Sequence, residues 1–146
     1  MRTIRRSIFT LGDKMGTLDP RRSIFTIGDK VVVSAAVERI SEALKGAEVP
    51  EPEQSGRLLV SQVLGRTSPT GYRQFQDQVL EPADLQELNR MVSCRLARVP
   101  VQYIAGTWDF RQITLKVRPP VFIPRPETEQ LVQIVLDRID TTKPLR

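Results

Sequence analysis

The sequence contains no histidine and a single cysteine, Cys94, among its 146 residues. A histidine-based metal site, a Ser–His–Asp triad and an internal disulfide are therefore excluded for this chain. We therefore expect no metal site. No apolar run approaches the roughly 18 residues that a membrane-spanning helix requires, so we expect no membrane span either. Cys94 lies in an apolar helical pattern, which predicts a small buried side chain rather than a reactive thiol.

Aromatic residues are also few, eight in all, and they show no stacking pattern typical of RNA-binding proteins. The net charge of +5 is concentrated in residues 1–30, which contain seven basic and three acidic residues. Residues 31–146 contain fifteen basic and fourteen acidic residues, a net charge of +1. The basic character thus belongs to the N-terminal tail, and we do not expect the folded part to bind nucleic acid.

The tail contains a tandem repeat, RRSIFTLGDK at residues 5–14 and RRSIFTIGDK at residues 21–30. Nine of the ten positions match, and only Leu11 and Ile27 differ. Two short copies are too few for a solenoid, which requires about three longer repeats. The repeat therefore does not predict a repeat architecture.

Residues 1–32 are predicted to form a basic, disordered tail. The first twelve residues contain arginine, serine and threonine but no acid, which is typical of a mitochondrial transit peptide. We therefore predict a mitochondrial location, with the cytoplasm as the alternative. The tail could also have arisen by local duplication or from a second start at Met15, and its basic and serine residues could form a phosphorylation site.

Residues 33–99 show the periodicity of a small helical bundle. The first helix is predicted from apolar residues at steps of four, three and four, namely Val33, Val37, Ile40 and Leu44. A second helix fits Gln54–Leu64, and a third amphipathic stretch runs from Tyr72 to Val79. The strongest predicted helix is Pro82–Val99, because its acids lie early and its arginines late, which suits the helix dipole.

Residues 100–126 are predicted to form a linker with a β-hairpin. A short apolar run, Val101–Ala105, is followed by Gly106, where we expect the hairpin to turn. Residues 113–117 alternate between apolar and polar side chains, the period of a half-buried strand. Pro119–Pro120 ends this strand.

Arg125 lies between two prolines, which restrict its backbone to an extended conformation. Glu127 and Glu129 follow and open a helix, on which Leu131, Val135 and Ile139 share one face. An arginine held before a helix N-terminus could bind a carboxylate or order a catalytic loop. The alternative is a structural elbow with a surface arginine.

The run PVQYIAGTWDFRQITLKVRPPVFIPRPETE at residues 100–129 closely resembles the linker of the HemK/PrmC family, whose members methylate a glutamine of peptide chain release factors. The resemblance is looser over residues 33–99. It implies a mainly α fold, in which a release-factor-recognition bundle is followed by the hairpin linker and one further helix at residues 127–146. It also implies candidates beside the active site that position the substrate: Phe122, Pro124, Arg125, Pro126, Glu127 and Thr128.

The sequence departs from the family where the methyl donor, S-adenosylmethionine, should bind. Its eight glycines include no Gly-x-Gly pair, and its only asparagine, Asn89, is not part of the family's Asn-Pro-Pro-Tyr loop. We therefore predict no catalytic, cofactor-binding or metal-binding residue and no methyl transfer by this chain alone. It is predicted to be a fragment that precedes a methyltransferase domain. The alternative is a catalytically silent module that binds a release factor or a separate methyltransferase domain.

Overall fold

The structure, a computed structural model, describes residues 23–26, 28–66, 68 and 70–139. This part of the chain is mainly helical and contains one antiparallel hairpin, which confirms the predicted fold class. None of its helices is long and apolar enough to cross a membrane. The elements in chain order are α1 (Val33–Gly46), α2 (Pro52–Val63), α3 (Pro82–Leu96), α4 (Val101–Ala105), β1 (Thr107–Phe110), β2 (Ile113–Lys116) and α5 (Pro126–Arg138).

The predicted apolar stripe of α1 forms the centre of the bundle core. It packs mainly against α2, and Gly56 of α2 lets the two helices approach closely. A Cβ atom on Gly56 would lie 2.6 Å from the Oγ of Ser41 and 3.2 Å from the carbonyl oxygen of Val37. The fully buried large side chains of the three main helices are Val33, Ile40, Leu44, Leu59, Val60, Leu88 and Val92.

Helix α3 joins the other two main helices through arginines near its C-terminal end. Arg95 is buried, and its guanidinium donates to the Oγ of Ser55 at 3.1 Å and to the carbonyl of Pro50 at 2.8 Å. Arg98, just beyond the helix, donates to the carbonyls of Ala47 and Glu48 at 2.9 and 2.7 Å. These arginines therefore satisfy carbonyls around the end of α1 and the start of α2, in addition to any effect on their own helix dipole.

Two local predictions are corrected by the structure. The third amphipathic stretch is only a 3₁₀ helix, Gly71–Phe75, and Val79 lies outside it in an isolated bridge with Val32. The hairpin does not turn at Gly106, because Val101–Ala105 is helical and Gly106 caps that helix with a φ of 73°. The turn lies between Phe110 and Ile113, which are paired.

The core also extends beyond its predicted start at residue 33. Phe25 and Val31, predicted to belong to a disordered tail, are each only 2% exposed. The side-chain amide of Asn89 holds this segment: its oxygen accepts from the backbone N–H of Ile24 and Phe25 at 3.0 and 3.1 Å, and its nitrogen donates to the carbonyl of Phe25 at 2.8 Å. The first repeat and the predicted transit segment lie outside the described residues.

Candidate functional site in the linker

One hydrogen bond attaches the backbone of the linker to α2, and two others hold parts of the linker together. The amide of Gln62 on α2 donates to the carbonyl of Ala105 at 3.2 Å, and the buried Val117 donates to the carbonyl of Gly106 at 3.0 Å. The hydroxyl of Tyr103 donates to the carbonyl of Val121 at 2.6 Å. The chain that leaves β2 is therefore held against α4, immediately before the candidate residues.

Arg111, in the two-residue turn of the hairpin, connects this turn to α5. Its backbone N–H donates to the Oε2 of Glu129 at 3.1 Å, and its guanidinium donates to the carbonyl of Glu129 and to the Oε1 of Gln133 at 3.2 and 2.6 Å. Arg111 has a φ of 54°, a left-handed conformation that short hairpin turns require. The hairpin thus helps to fix the direction in which α5 leaves the linker.

The six predicted site residues lie on one exposed segment at the start of α5. Phe122 is 89% exposed, an unusual value for so large an apolar side chain. Pro124 is half-buried, whereas Arg125, Pro126, Glu127 and Thr128 are exposed. No described residue outside this segment forms a side-chain hydrogen bond with them. The six residues therefore lie together only because they are close in sequence.

Arg125 has the extended backbone that its flanking prolines predict, with φ −102° and ψ 149°, and it is the residue that precedes α5. Its carbonyl accepts from the N–H of Thr128 at 3.0 Å, which closes the first helical turn. Its guanidinium makes no ion pair or hydrogen bond with another described residue. An exposed guanidinium in this position is available for a carboxylate, which it can bind in a bidentate manner.

The metal-binding potential of the described residues and the state of their one cysteine can both be read from the structure. No group of three or more cysteine and acidic side chains within the described ranges could hold a metal ion. Cys94 is buried, as predicted, and burial raises the pKa of its thiol above the usual value. A raised pKa disfavours the thiolate, which is the reactive form.

Two residues that organise this region, Arg111 and Tyr103, carry no clear signal in the sequence. Gln133 lies 22 positions after Arg111 and Val121 lies 18 after Tyr103, in segments whose relative placement the apolar pattern does not encode. The one useful signal is local: Arg111 follows the Trp108–Phe110 pair and precedes the alternating strand, where a turn residue is required.

Comparison with known proteins agrees with the resemblance. Residues 35–106 match the family model described as the PrmC N-terminal domain. The chain is 40% identical over 111 residues to the MTRF1L release factor glutamine methyltransferase of Homo sapiens, an alignment that covers 73% of this chain and 33% of the human protein.

Bacterial proteins named release factor glutamine methyltransferase are similar over the same part of the chain. The protein of Vibrio cholerae is 34% identical over 109 residues, with 74% of this chain and 37% of that protein covered. The protein of Mycolicibacterium smegmatis is 38% identical over 98 residues, with 67% and 34% covered. The chain thus spans about a third of the length of these curated relatives. On these matches, the chain belongs to the PrmC family of release factor glutamine methyltransferases, through the N-terminal domain of that family.

Proposed function

We propose that this chain supplies the substrate-recognition domain and linker of a release factor glutamine methyltransferase. In the complete enzyme, a methyl group is transferred from S-adenosylmethionine to the side-chain nitrogen of a glutamine in a peptide chain release factor. The helical bundle binds the release factor, and the linker leads to the domain that holds the cofactor. Similarity to relatives that carry this name supports the proposal.

The structural observation that carries the proposal is the uncovered apolar surface of α5. No residue of this helix is buried. Large apolar side chains of the helix, and of the residue that follows it, are between 40 and 59% exposed: Leu131, Ile134, Val135, Leu136 and Ile139. An amphipathic helix in water normally covers such a face. We propose that the S-adenosylmethionine-binding domain covers it, while Arg111 holds the helix in the orientation that this packing requires.

Arg125 is proposed to lie beside the active site of the complete enzyme. The prolines on either side limit its backbone, so little backbone entropy is lost when its guanidinium binds a carboxylate of the catalytic domain or of the substrate. Phe122, also exposed, offers an apolar surface three residues earlier. Both side chains would then position the substrate without taking part in methyl transfer.

A chimaera tests this function. Residues 23–139 of this chain replace the matching segment of the human relative, and transfer of labelled methyl groups to a purified release factor is measured. We expect methylation by the chimaera and a clear loss of turnover in Arg125→Ala. Lys116→Ala, which removes an exposed cation of the hairpin outside the bundle and the candidate segment, is the matched control and should keep full turnover.

Two outcomes of this assay would count against the proposal. A chimaera that folds and binds S-adenosylmethionine but leaves every release factor unmethylated would overturn the assignment of the bundle. If the Arg125→Ala chimaera methylates the release factor as fast as the parent chimaera, Arg125 has only a structural role in the linker. Calorimetry of the 146-residue chain with S-adenosylmethionine should show no micromolar binding, because we assign that site to another domain.

The alternative function, a catalytically silent binding module, is favoured by one observation. The bundle forms one apolar core with Phe25, with the connections between its helices and with α4, without any contribution from α5. It can therefore be tested as a binding unit. Capture of a purified release factor by this chain, with no change in methylation when S-adenosylmethionine and a separate methyltransferase domain are added, would favour the module over the enzyme.

The mitochondrial location stays a prediction about residues that the structure does not describe. Because Phe25 is part of the core, the targeting segment should end before residue 23. A reporter fused to residues 1–22 is expected to reach mitochondria. A cytosolic reporter would contradict the prediction.

A further inference from the structure

The described residues of the second copy of the tandem repeat, 23–26 and 28–30, lie at a specific site on the bundle. Phe25 is buried in the core, and Ile24 packs against it in a half-buried position. The backbone on both sides of Phe25 is held by three hydrogen bonds to the side chain of Asn89, a buried residue on α3. Main-chain recognition by one amide, combined with a pocket for one aromatic side chain, is a built site for a short peptide segment.

Two further contacts shape the segment after Phe25. The N–H of Thr26 donates to the Oδ2 of Asp29 at 3.1 Å, and the same oxygen lies 3.7 Å from the Nη1 of Arg39 on α1. The first interaction closes a local turn, and the second attaches this turn to the bundle. Recognition thus depends on a phenylalanine, a free main chain around it and an aspartate four residues later.

The first copy of the repeat carries the same residue at each of these positions. Its Ile-Phe-Thr run at residues 8–10 and Asp13 correspond to residues 24–26 and Asp29. The one difference within the ten residues, Leu11 in place of Ile27, exchanges two apolar side chains of equal size at a position outside this set. Residues 5–14 therefore satisfy every requirement that the site places on residues 21–30.

We propose that the Asn89 site can bind either copy, and that residues 5–14 of the same chain replace residues 21–30 when the second copy is displaced. The second copy is favoured in the wild type because it leads directly into Val31, whose carbonyl accepts from the N–H of Leu80 at 2.8 Å. Docking of the first copy requires residues 15–30 to form a loop, and the entropic cost of such a loop rises only slowly with its length. When the first copy docks, only residues 1–4 precede the docked copy, instead of residues 1–20.

A double-mutant cycle in the full chain tests the exchange by thermal unfolding. Phe9→Ala alone should leave the melting temperature unchanged, because the second copy is docked. Phe25→Ala should lower it moderately, since Phe9 can take the vacated pocket. The double variant Phe9→Ala/Phe25→Ala should unfold several degrees below Phe25→Ala. Phe122→Ala, which removes an exposed phenylalanine, is the matched control in the Phe25→Ala background and should add no such loss.

Hydrogen exchange measured by mass spectrometry gives a second, independent result. In the wild type, amides of residues 21–30 should exchange slowly and those of residues 5–14 fast, and Phe25→Ala should reverse this order. The milder Phe25→Leu serves if Phe25→Ala does not fold. The proposal is wrong if Phe9→Ala leaves the melting temperature unchanged both in the wild type and in the Phe25→Ala background. It is also wrong if the amides of residues 5–14 exchange fast in every folded variant. A concentration-dependent dimer of Phe25→Ala would overturn it in another way, because the first copy would then dock between chains.

Discussion

Helices α3 and α5 have similar lengths, 15 and 13 residues, and each has a proline in its first turn. Both have acidic residues early and an arginine in the last turn, and both carry apolar residues at helical spacing. Yet α3 buries seven residues, whereas α5 buries none. The comparison teaches that amphipathic spacing predicts a helix and a face to be covered, but the partner of that face must be found in the fold.

The strongest test of this difference substitutes one leucine of each helix. Leu88→Ala on α3 removes a fully buried side chain and should lower the free energy of unfolding by about 2–5 kcal/mol. Leu131→Ala on α5 removes a side chain that is 59% exposed and should change it by less than about 0.5 kcal/mol. Urea denaturation of the full chain measures both. Equal losses would mean that α5 is packed in solution.

Asn89 tests how far the stability of α3 depends on a polar residue of its buried side. Asn89→Ala leaves two N–H groups and one carbonyl of residues 24 and 25 without their partner, at a cost of about 1–3 kcal/mol. Asn89→Asp keeps the accepting oxygen and loses the donor, so its cost depends on the pH and should fall as the carboxyl is protonated. Denaturation at low and at neutral pH separates the two variants. An unchanged stability in Asn89→Ala would show that residues 23–26 are not docked.

A smaller change in the free energy of unfolding is expected when the contacts between Arg111 and α5 are removed. Arg111→Ala removes the two guanidinium contacts to Glu129 and Gln133, which are partly exposed, so the unfolding free energy should fall by about 1 kcal/mol or less. Hydrogen exchange in α5 should nevertheless accelerate, while exchange in α3 stays the same. Lys116→Ala, which removes an exposed cation from β2 of the same hairpin, is the matched control and should leave α5 unchanged. Acceleration in both variants would point to a loss of the hairpin itself.

The smallest expected effect concerns Ser61, a fully buried residue of α2 whose Oγ has no hydrogen-bond partner among the described residues. Ser61→Ala removes a polar atom that forms no compensating contact there, so stability should stay within about 0.5 kcal/mol or rise. Ser55→Ala is the matched comparison, because the Oγ of Ser55 accepts from Arg95 at 3.1 Å. It should lower the unfolding free energy by about 1–3 kcal/mol. A larger loss in Ser61→Ala would reveal a partner of its hydroxyl.

Local sequence signals predicted most helix positions well. The steps between Val33 and Leu44 placed α1, and Pro82 placed the start of α3, because a proline suits the first turn. They failed at Val101–Ala105, because a short apolar run fits a strand or a helix equally; in the structure it is a helix in contact with α2 and α3. They also failed for the segment around Phe25, whose basic surroundings indicated a tail.

Local patterns in the sequence account for the helical character of this protein and for the extended backbone at Arg125, and they identify the family to which the chain belongs. Which polar side chains hold the elements together depends on the tertiary fold. Asn89 binds a backbone 65 residues away, and Arg95 and Arg98 reach carbonyls 45 and 51 residues away. The physical reason is that apolar periodicity is a property of neighbouring residues, whereas a buried hydrogen bond depends on which distant donor and acceptor the packing brings within about 3 Å.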